Sequence, residues 1–251
     1  MRKYPLNENF FKNITTEIQS YLLGFYLGDG CVSYRESRKE YSFKITVAEK
    51  DEYILKLCQN NISERPLYKV QPPDIIKDGI IYKCSSALSF TVYSKSIVED
   101  LVNMGYGYKK TYLSKRLPNL NDDLMKHFIR GYFDADGTCV NNLTKRSDRP
   151  IGTRAKSVFR ITSYDKKKNI LIELQQYLNN LLEINLKIYN CNTRNIYNLS
   201  SSNLKDIHKL YNYFYNDSVF FYLERKKLKF KDTMLTPRKL RELKNPELRN
   251  A

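Results

Sequence analysis

The sequence predicts an α+β (mixed α/β) protein of two similar halves, each an antiparallel sheet backed by helices. Three observations predict it: an internal repeat, strand-like runs of period two, and two apolar, glycine-containing helices at matched positions. Residues 21–30 read YLLGFYLGDG and residues 128–137 read FIRGYFDADG. Both end in Asp-Gly, and both carry a glycine five residues before the aspartate, Gly24 before Asp29 and Gly131 before Asp136. The aspartates are 107 residues apart (136 less 29). Downstream, FKITVAEKDEYIL (43–55) aligns without a gap to FRITSYDKKKNIL (159–171), now at an offset of 116 (159 less 43). The stretch NNLTKRSDRPIGTRAK, rich in turn formers, is the natural place for the nine residues of difference. Two looser matches follow, SFTVYSKSIVEDL (89–101) with IYNLSSSNLKDIH (196–208), and GYGYKKTYLSK (105–115) with FFYLERKKLKF (220–230). Four features in the same order indicate a tandem duplication. The halves are expected at 1–117 and 118–251, with SKRLPNLN linking them and Pro118 opposing a continuous helix.

The elements follow in the same order in each half. A helix (16–27; 122–134) leads through Asp-Gly into a strand (31–35; 138–142) and a second strand (41–48; 157–164). A helix (51–60; 166–182), two further strands (67–71 and 80–94; 185–190 and 195–201) and a closing helix (95–104; 203–215) complete it. Thr16 followed by Gln19 is a capping-box start, and Asn121 can cap the second motif helix, with Asp122 and Asp123 favourable in its first turn. The alternation in Phe43-Lys-Ile-Thr-Val47 puts Phe43, Ile45 and Val47 on one face and Lys44 and Thr46 on the other, as does Phe159-Arg-Ile-Thr-Ser163. That pattern describes a half-buried sheet with a basic open face.

The two motif helices are apolar nearly all round, which predicts burial. Glycine inside a helix costs about 0.5–1 kcal/mol relative to alanine. Both helices accept that cost at the same place and follow it four residues later with a second small residue, Gly24 with Gly28 and Gly131 with Ala135. Small residues four apart make a flat stripe along which two helix backbones approach closely. Helices so packed would carry Asp29 and Asp136 toward one another. Neighbouring carboxylates repel unless cations lie between them, and hard oxygen ligands suit magnesium. Such a site beside a basic surface suits in-line hydrolysis of a phosphodiester.

Composition narrows the partners. Lys+Arg number 43 against 27 Asp+Glu, a formal net charge of +16, which attracts polyanions. Nucleic acid fits best; no basic amphipathic helix with an aromatic face suggests a membrane surface. No run approaches the roughly 18–20 apolar residues of a membrane span, and the polar MRKYPLNENF lacks a signal-peptide core. The reading is an intracellular protein, in bacterial or phage-host cytoplasm or an organelle. Five cysteines, at 31, 58, 84, 139 and 191, form no CxxC pair and read as small buried residues in a reducing compartment. Only His127 and His208 occur, too few for a nuclease built on histidine ligands and a histidine base, and each reads as an ordinary helix residue.

LLGFYLGDG (22–30) and IRGYFDADG (129–137) resemble the nine-residue LAGLIDADG motif of homing endonucleases, the second more closely. The resemblance implies two pseudo-symmetric αββαββα halves, motif helices at the interface and two sheets forming a saddle over the DNA major groove. It implies a monomeric, intron-encoded, site-specific endonuclease making staggered double-strand breaks with two or more Mg2+ ions, Ca2+ being a non-productive substitute. Carried onto this sequence, Asp29 and Asp136 are the metal ligands, helped by the Gly28 and Ala135 carbonyls. Glu49-Lys50 and Asp165-Lys166 stand where the family often has Gln and Lys, so acids replace the usual amide. A basic residue near the closing segment corresponds to Lys109 or Lys110, and to Arg225 or Lys226, with Lys110 and Lys226 preferred. Expected DNA contacts are Arg35, Arg38, Lys44, Lys69, Lys83, Arg154, Lys156, Arg160, Lys187 and Arg194. Double-stranded DNA is the expected partner. An intron-RNA splicing cofactor and an inactive DNA-binding protein are the alternatives on the same fold, and retention of both aspartates favours cleavage.

Overall fold

The computed structural model describes residues 3–71, 73–83, 85–145, 153–164, 169–191, 195–217 and 221–234, with the side chains of 77, 142–145 and 153–156 outside the description. The chain divides into two compact units, Met1–Ala135 with Phe221–Leu223, and Asp136–Phe220 with Glu224–Ala251. Among the described residues no helix is long and apolar enough to cross a membrane.

The first unit opens with α1 (Glu17–Asp29), whose N-cap Thr16 accepts from Gln19 N while the Gln19 side chain accepts from Thr16 N, a complete capping box. Strand β1 (Gly30–Arg35) follows directly, then β2 (Glu40–Ala48), α2 (Glu52–Asn61), β3 (Tyr68–Val70), β4 (Ile75–Lys77), β5 (Ile80–Tyr82), β6 (Ala87–Tyr93), α3 (Lys95–Asn103) and α4 (Asp122–Asp136). The main sheet is antiparallel in the order β1-β2-β6-β3. Along β2, Phe43, Ile45 and Val47 are buried while Lys44, Thr46 and Ala48 are half-buried. On that inner face Phe43 and Ile45 join Phe90 and Val92 of β6 beneath Ile54, Leu55 and Cys58 of α2 and Ile97, Val98 and Leu101 of α3. Each such side chain contributes about 1.5–3 kcal/mol on leaving water.

The second unit repeats the arrangement with β7 (Gly137–Lys145), β8 (Thr153–Tyr164), α5 (Asn169–Leu182), β9 (Lys187–Asn190), β10 (Ile196–Ser201), α6 (Leu204–Tyr215) and α7 (Glu224–Thr233). Its sheet runs β7-β8-β10-β9, the same order as the first. Strand pairing supports the repeat, since Gly30 lies opposite Ile45 and Gly137 opposite Ile161. Inserted length does not form a loop alone. The β1–β2 ladder pairs six residues, whereas β7–β8 pairs nine, Gly137 to Lys145 against Thr153 to Ile161, so part of the extra sequence lengthens the hairpin.

Four sequence expectations change. The third repeat match slips by two residues: Phe90 opposes Ile45 and Leu199 opposes Ile161, which equates Phe90 with Leu199 rather than Tyr197. The slip preserves strand parity, so the buried alternation alone could not detect it. The strand expected over 80–94 is two: Ile80–Tyr82 pairs with β4 across the Asp78 (φ 51°) and Gly79 (φ 77°) turn, whereas Ala87–Tyr93 pairs with β2 and β3. Helix α7 is additional, Glu224–Thr233 burying Phe230 against Phe159 and Phe214. Cys31 is exposed, against the expectation that the cysteines are buried; Cys58 and Cys139 are buried and Cys191 is intermediate.

Helices α1 and α4 touch backbone to backbone. A Cβ added at Gly24 would overlap the Phe128 carbonyl oxygen and stand 2.9 Å from Tyr132 N; one at Gly131 would overlap the Tyr21 carbonyl oxygen and stand 2.9 Å from Phe25 N. The contact is therefore reciprocal. Ser20 Oγ adds a hydrogen bond to Leu124 O at 2.6 Å. Gly→Ala in an ordinary helix stabilises by about 0.5–1 kcal/mol; at Gly24 or Gly131 the sign should reverse, with a loss of roughly 1–3 kcal/mol or more from overpacking. Urea unfolding of each variant measures this, and an unchanged or raised midpoint would show that the helices do not meet there.

Candidate functional site

Each motif helix ends in the same way. In α1, Gly28 is half-buried, Asp29 exposed and Gly30 buried; in α4 the series is Ala135 half-buried, Asp136 exposed and Gly137 buried. The glycine after the aspartate opens the strand. Gly30 has extended dihedrals and its N–H donates to Tyr26 O. A Cβ there would overlap the Tyr26 ring and lie 2.9 Å from that carbonyl, so close approach, not left-handed geometry, demands glycine. The aspartate is thereby left at the helix end, facing water.

A carboxylate at a helix C-terminus sits at the unfavourable end of the dipole, among carbonyls with no intrahelical partner. The chain supplies a cation there. Lys110, in a 3-10 turn over Lys110–Tyr112, is 7% exposed, and its Nζ donates to Leu27 O at 2.8 Å and Gly28 O at 3.0 Å. The ammonium also lies 5.4 Å from the Tyr26 ring centre. The Tyr26 hydroxyl donates to Tyr106 O at 2.6 Å, and burial pushes its phenol strongly up, with Cys31 and Tyr108 adding smaller effects. In the second unit, Lys226 of α7 donates through Nζ to Gly137 O at 2.6 Å. Lys109 and Arg225, their sequence neighbours, are exposed.

A buried polar cluster along α4 was not legible in the sequence. Arg130 is fully buried with its guanidinium 5.5 Å from the Phe221 ring centre, and its Nη2 meets His127 Nδ1. Arginine only donates, so Nδ1 accepts and the His127 proton sits on Nε2, which faces Glu17 Oε1 at 3.4 Å. Asp134, 1% exposed, accepts through Oδ2 from the Tyr21 hydroxyl at 2.8 Å and from Leu223 N at 2.8 Å. These bonds anchor the 221–223 segment, immediately ahead of the helix that carries Lys226, onto the motif helix. Phe221 lies 5.3 Å from Tyr21 and 5.4 Å from His127 by ring centres. The sequence hint was a polar residue at 127, 130 and 134, spaced as one helix face, inside an otherwise apolar segment.

The remaining candidates scatter more widely. Glu49 and Lys50 occupy an exposed 3-10 turn after β2. Lys69 Nζ lies 2.6 Å from Glu49 Oε1, and hydrogen bonds from Lys69 and then Ser86 hold that carboxyl below the usual range. Glu49, just past the end of β2, is thus paired with Lys69 of β3, on the far side of β6 in the sheet. Lys44 is half-buried on the open sheet face, 5.9 Å from the Tyr68 ring centre. Arg35, Arg38, Lys83 and Lys187 are exposed. Arg160 lines a cleft of about 330 Å3 with Val158, Tyr189, Asn198, Ser200, Ser201 and Ser202. Arg154 and Lys156 lie on β8, with side chains outside the description, and Asp165, Lys166 and Arg194 lie outside the described residues. Among the described residues no group of three or more His, Cys, Asp or Glu side chains gathers as a metal-binding cluster.

A family model described as LAGLIDADG endonuclease matches residues 129–234. Residues 129–234, which include the C-terminal part of the second motif helix, are thus similar to that family. Two curated relatives align at 25% identity: a DNA polymerase of Acanthamoeba polyphaga mimivirus over 136 residues, 54% of this chain, and a probable intron-encoded endonuclease 3 of Neurospora crassa over 122 residues, 43% of this chain. The matches span only 8% and 22% of those relatives' lengths. Likeness in fold extends further than the family match. A structure of I-SmaMI bound to an uncleaved DNA target with calcium ions superposes at a TM-score of 0.59 and 14% identity, covering 93% of this chain and 95% of that one.

Two outcomes follow from these contacts. Tyr21→Phe removes a donor from a buried carboxylate and should lower stability by about 1–3 kcal/mol, whereas Tyr34→Phe at an exposed ring should stay within about 0.5 kcal/mol; thermal denaturation of the pair checks the difference. Lys69→Met should move the Glu49 pKa upward, read by NMR titration of its side-chain carboxyl. Because Glu49 is depressed in the folded state, its contribution is present above its unfolded pKa and is lost as pH falls through the folded one. The variant should therefore lose less stability on acidification, and an unshifted titration would remove Lys69 as the cause.

Proposed function

We propose that the chain is a monomeric, site-specific DNA endonuclease that cuts both strands of a long duplex target with divalent metal ions and leaves staggered ends. The carrying observation is the repeated motif end: an exposed aspartate, a buried glycine opening a strand, and a lysine ammonium on an adjacent main-chain carbonyl, at Asp29 with Lys110 and again at Asp136 with Lys226. The family match over 129–234 and the fold shared with a DNA-bound meganuclease support the same reading.

The donor set suits a hard cation, since each motif end offers an aspartate carboxylate beside main-chain carbonyl oxygens. Asp29 and Asp136 would hold Mg2+, with the Gly28 and Ala135 carbonyls as secondary donors. Lys110 already draws on the Gly28 oxygen, which leaves the carboxylate as the stronger ligand. A divalent ion there would supply Lewis-acid activation of the scissile phosphate and of water. Asp29 and Asp136 act on one strand each. Lys110 and Lys226 hold the motif ends in place and offset negative charge beside the phosphate. Basic side chains on the open sheet faces, Lys44 and Arg160 among them, engage the DNA, mostly through phosphate. The host compartment in this reading is bacterial or phage-host cytoplasm or an organelle.

The test is selection of bound duplexes from a randomised library in calcium, followed by transfer to magnesium. Staggered double-strand cutting at one sequence is expected, reduced at least about a hundredfold by either Asp29→Asn or Asp136→Asn while calcium-supported binding persists, a loss in the range of removing one transition-state charge stabiliser. Specific binding without cutting would replace the enzyme with a DNA-binding regulator. Absence of specific duplex binding, with binding to structured intron RNA, would replace it with a splicing cofactor.

A further inference from the structure

The two motif helices hold their lysine-bearing segments by different means. On α1, the Tyr26 hydroxyl donates to Tyr106 O at 2.6 Å, four residues ahead of Lys110. Residues 106–109 form neither helix nor strand, so no regular ladder fixes their place. Lys110 then meets the carbonyls of Leu27 and Gly28, the two residues ahead of Asp29. On α4, Asp134 Oδ2 accepts from Leu223 N at 2.8 Å, three residues ahead of Lys226, whose Nζ meets the carbonyl of Gly137, directly after Asp136. In both cases a polar group two or three residues before the motif aspartate holds main chain just upstream of the lysine.

The two ties do not descend from one repeated residue. The motif aspartates are 107 residues apart (136 less 29), which matches Tyr26 with Phe133 and Leu27 with Asp134. Each helix thus has a polar side chain where the other has an apolar one, and all four are buried. A buried hydroxyl or carboxylate costs desolvation unless it is bonded, so packing alone would be served by the apolar residue. Lysine has a long side chain with much rotamer freedom, and its ammonium is placed only as well as its backbone is. Fixing the chain three or four residues away limits where that ammonium can reach.

We propose that Tyr26 and Asp134 are positioning residues, each holding the lysine of its own half, Lys110 or Lys226, against the motif end there. The consequence for cutting rests on the endonuclease reading, in which Asp29 and Asp136 act on one strand each. Tyr26→Phe keeps the ring that lies 5.4 Å from the Lys110 ammonium and removes only the hydroxyl. Asp134→Leu releases Leu223, and Tyr21→Phe made with it removes the hydroxyl that would otherwise lose its acceptor. Tyr26→Phe and Asp134→Leu each install the residue type that the other motif helix already carries at the matching place. The two should therefore impair opposite strands.

Two measurements on the full-length protein test this. In the first, without metal or DNA, lysines are acylated with acetic anhydride and the rates read site by site by mass spectrometry. Lys110 should label roughly three- to tenfold faster in Tyr26→Phe with Lys226 unchanged, the range that one hydrogen bond spans. The reverse should hold in Asp134→Leu with Tyr21→Phe. In the second, a duplex carrying the selected target, with a different dye on each strand, is cut in magnesium. Each variant should slow one strand by a similar factor, the two variants acting on opposite strands, while Tyr21→Phe alone keeps the wild-type strand ratio. If the Asp134→Leu protein does not fold, the Tyr26→Phe arm decides by itself. Unchanged labelling of Lys110 in Tyr26→Phe overturns the proposal. Equal slowing of both strands by that variant also overturns it, being the outcome for a residue that only stabilises the fold. A wild type that cuts no duplex overturns the endonuclease reading, and the labelling still decides the placing of the lysines.

Discussion

Helices α1 and α4 meet with main chain against main chain, and the first unit is arranged around that contact. At Gly24 and Gly131 the neighbouring backbone occupies the space of a side chain, so the spacing of the two helices is set by peptide groups rather than by compressible side chains. Nothing larger than hydrogen fits at either position without moving a helix. The reciprocity matters: each glycine meets the other helix's carbonyl, which fixes both the separation and the axial register of the pair. The apolar residues around both helices then have no water-facing side, consistent with burial of every residue from Ser20 to Leu27.

Several charged and polar side chains are buried along α4, and they meet partners. Arg130, His127 and Asp134 would each be costly to bury alone. Tyr21, the Leu223 amide and Glu17 supply partners, while Phe221 covers the guanidinium. The cluster orders a short segment that returns to the first unit immediately before α7, which gives an otherwise unremarkable stretch of chain a defined place. At the other end of the same helices the electrostatic problem is different. There the carbonyls and the motif aspartates concentrate negative charge at helix C-termini, and Lys110 and Lys226 answer it from elements remote in sequence.

Much of this was legible from residues alone. The duplicated Asp-Gly ends, the matched glycines, the capping box at Thr16 and the alternation along β2 are local patterns whose physical causes act within a few residues. Other features were hidden for equally physical reasons. The two-residue slip between β6 and β10 keeps inward and outward faces unchanged, so hydrophobic pattern carries no trace of it. The Asp78-Gly79 hairpin did have a signal, a two-residue turn pair between isoleucine doublets, which a single long strand reading obscured. Glu49 is exposed in either reading, and only its pairing across the sheet to Lys69 shows how it is engaged.

The sequence by itself determined the duplication, the sheet faces, the helix starts and the placing of an aspartate at each motif end, because helix and strand periodicity and capping are set by near neighbours. Tertiary structure decided which residues complete those ends. Lys110 rather than Lys109 reaches the α1 carbonyls, and Lys226 rather than Arg225 reaches Gly137, because a long side chain's partner depends on where a distant turn or helix is docked. It likewise decided that Asp134 holds Tyr21 and Leu223, residues 113 and 89 positions away, a pairing that no local pattern encodes.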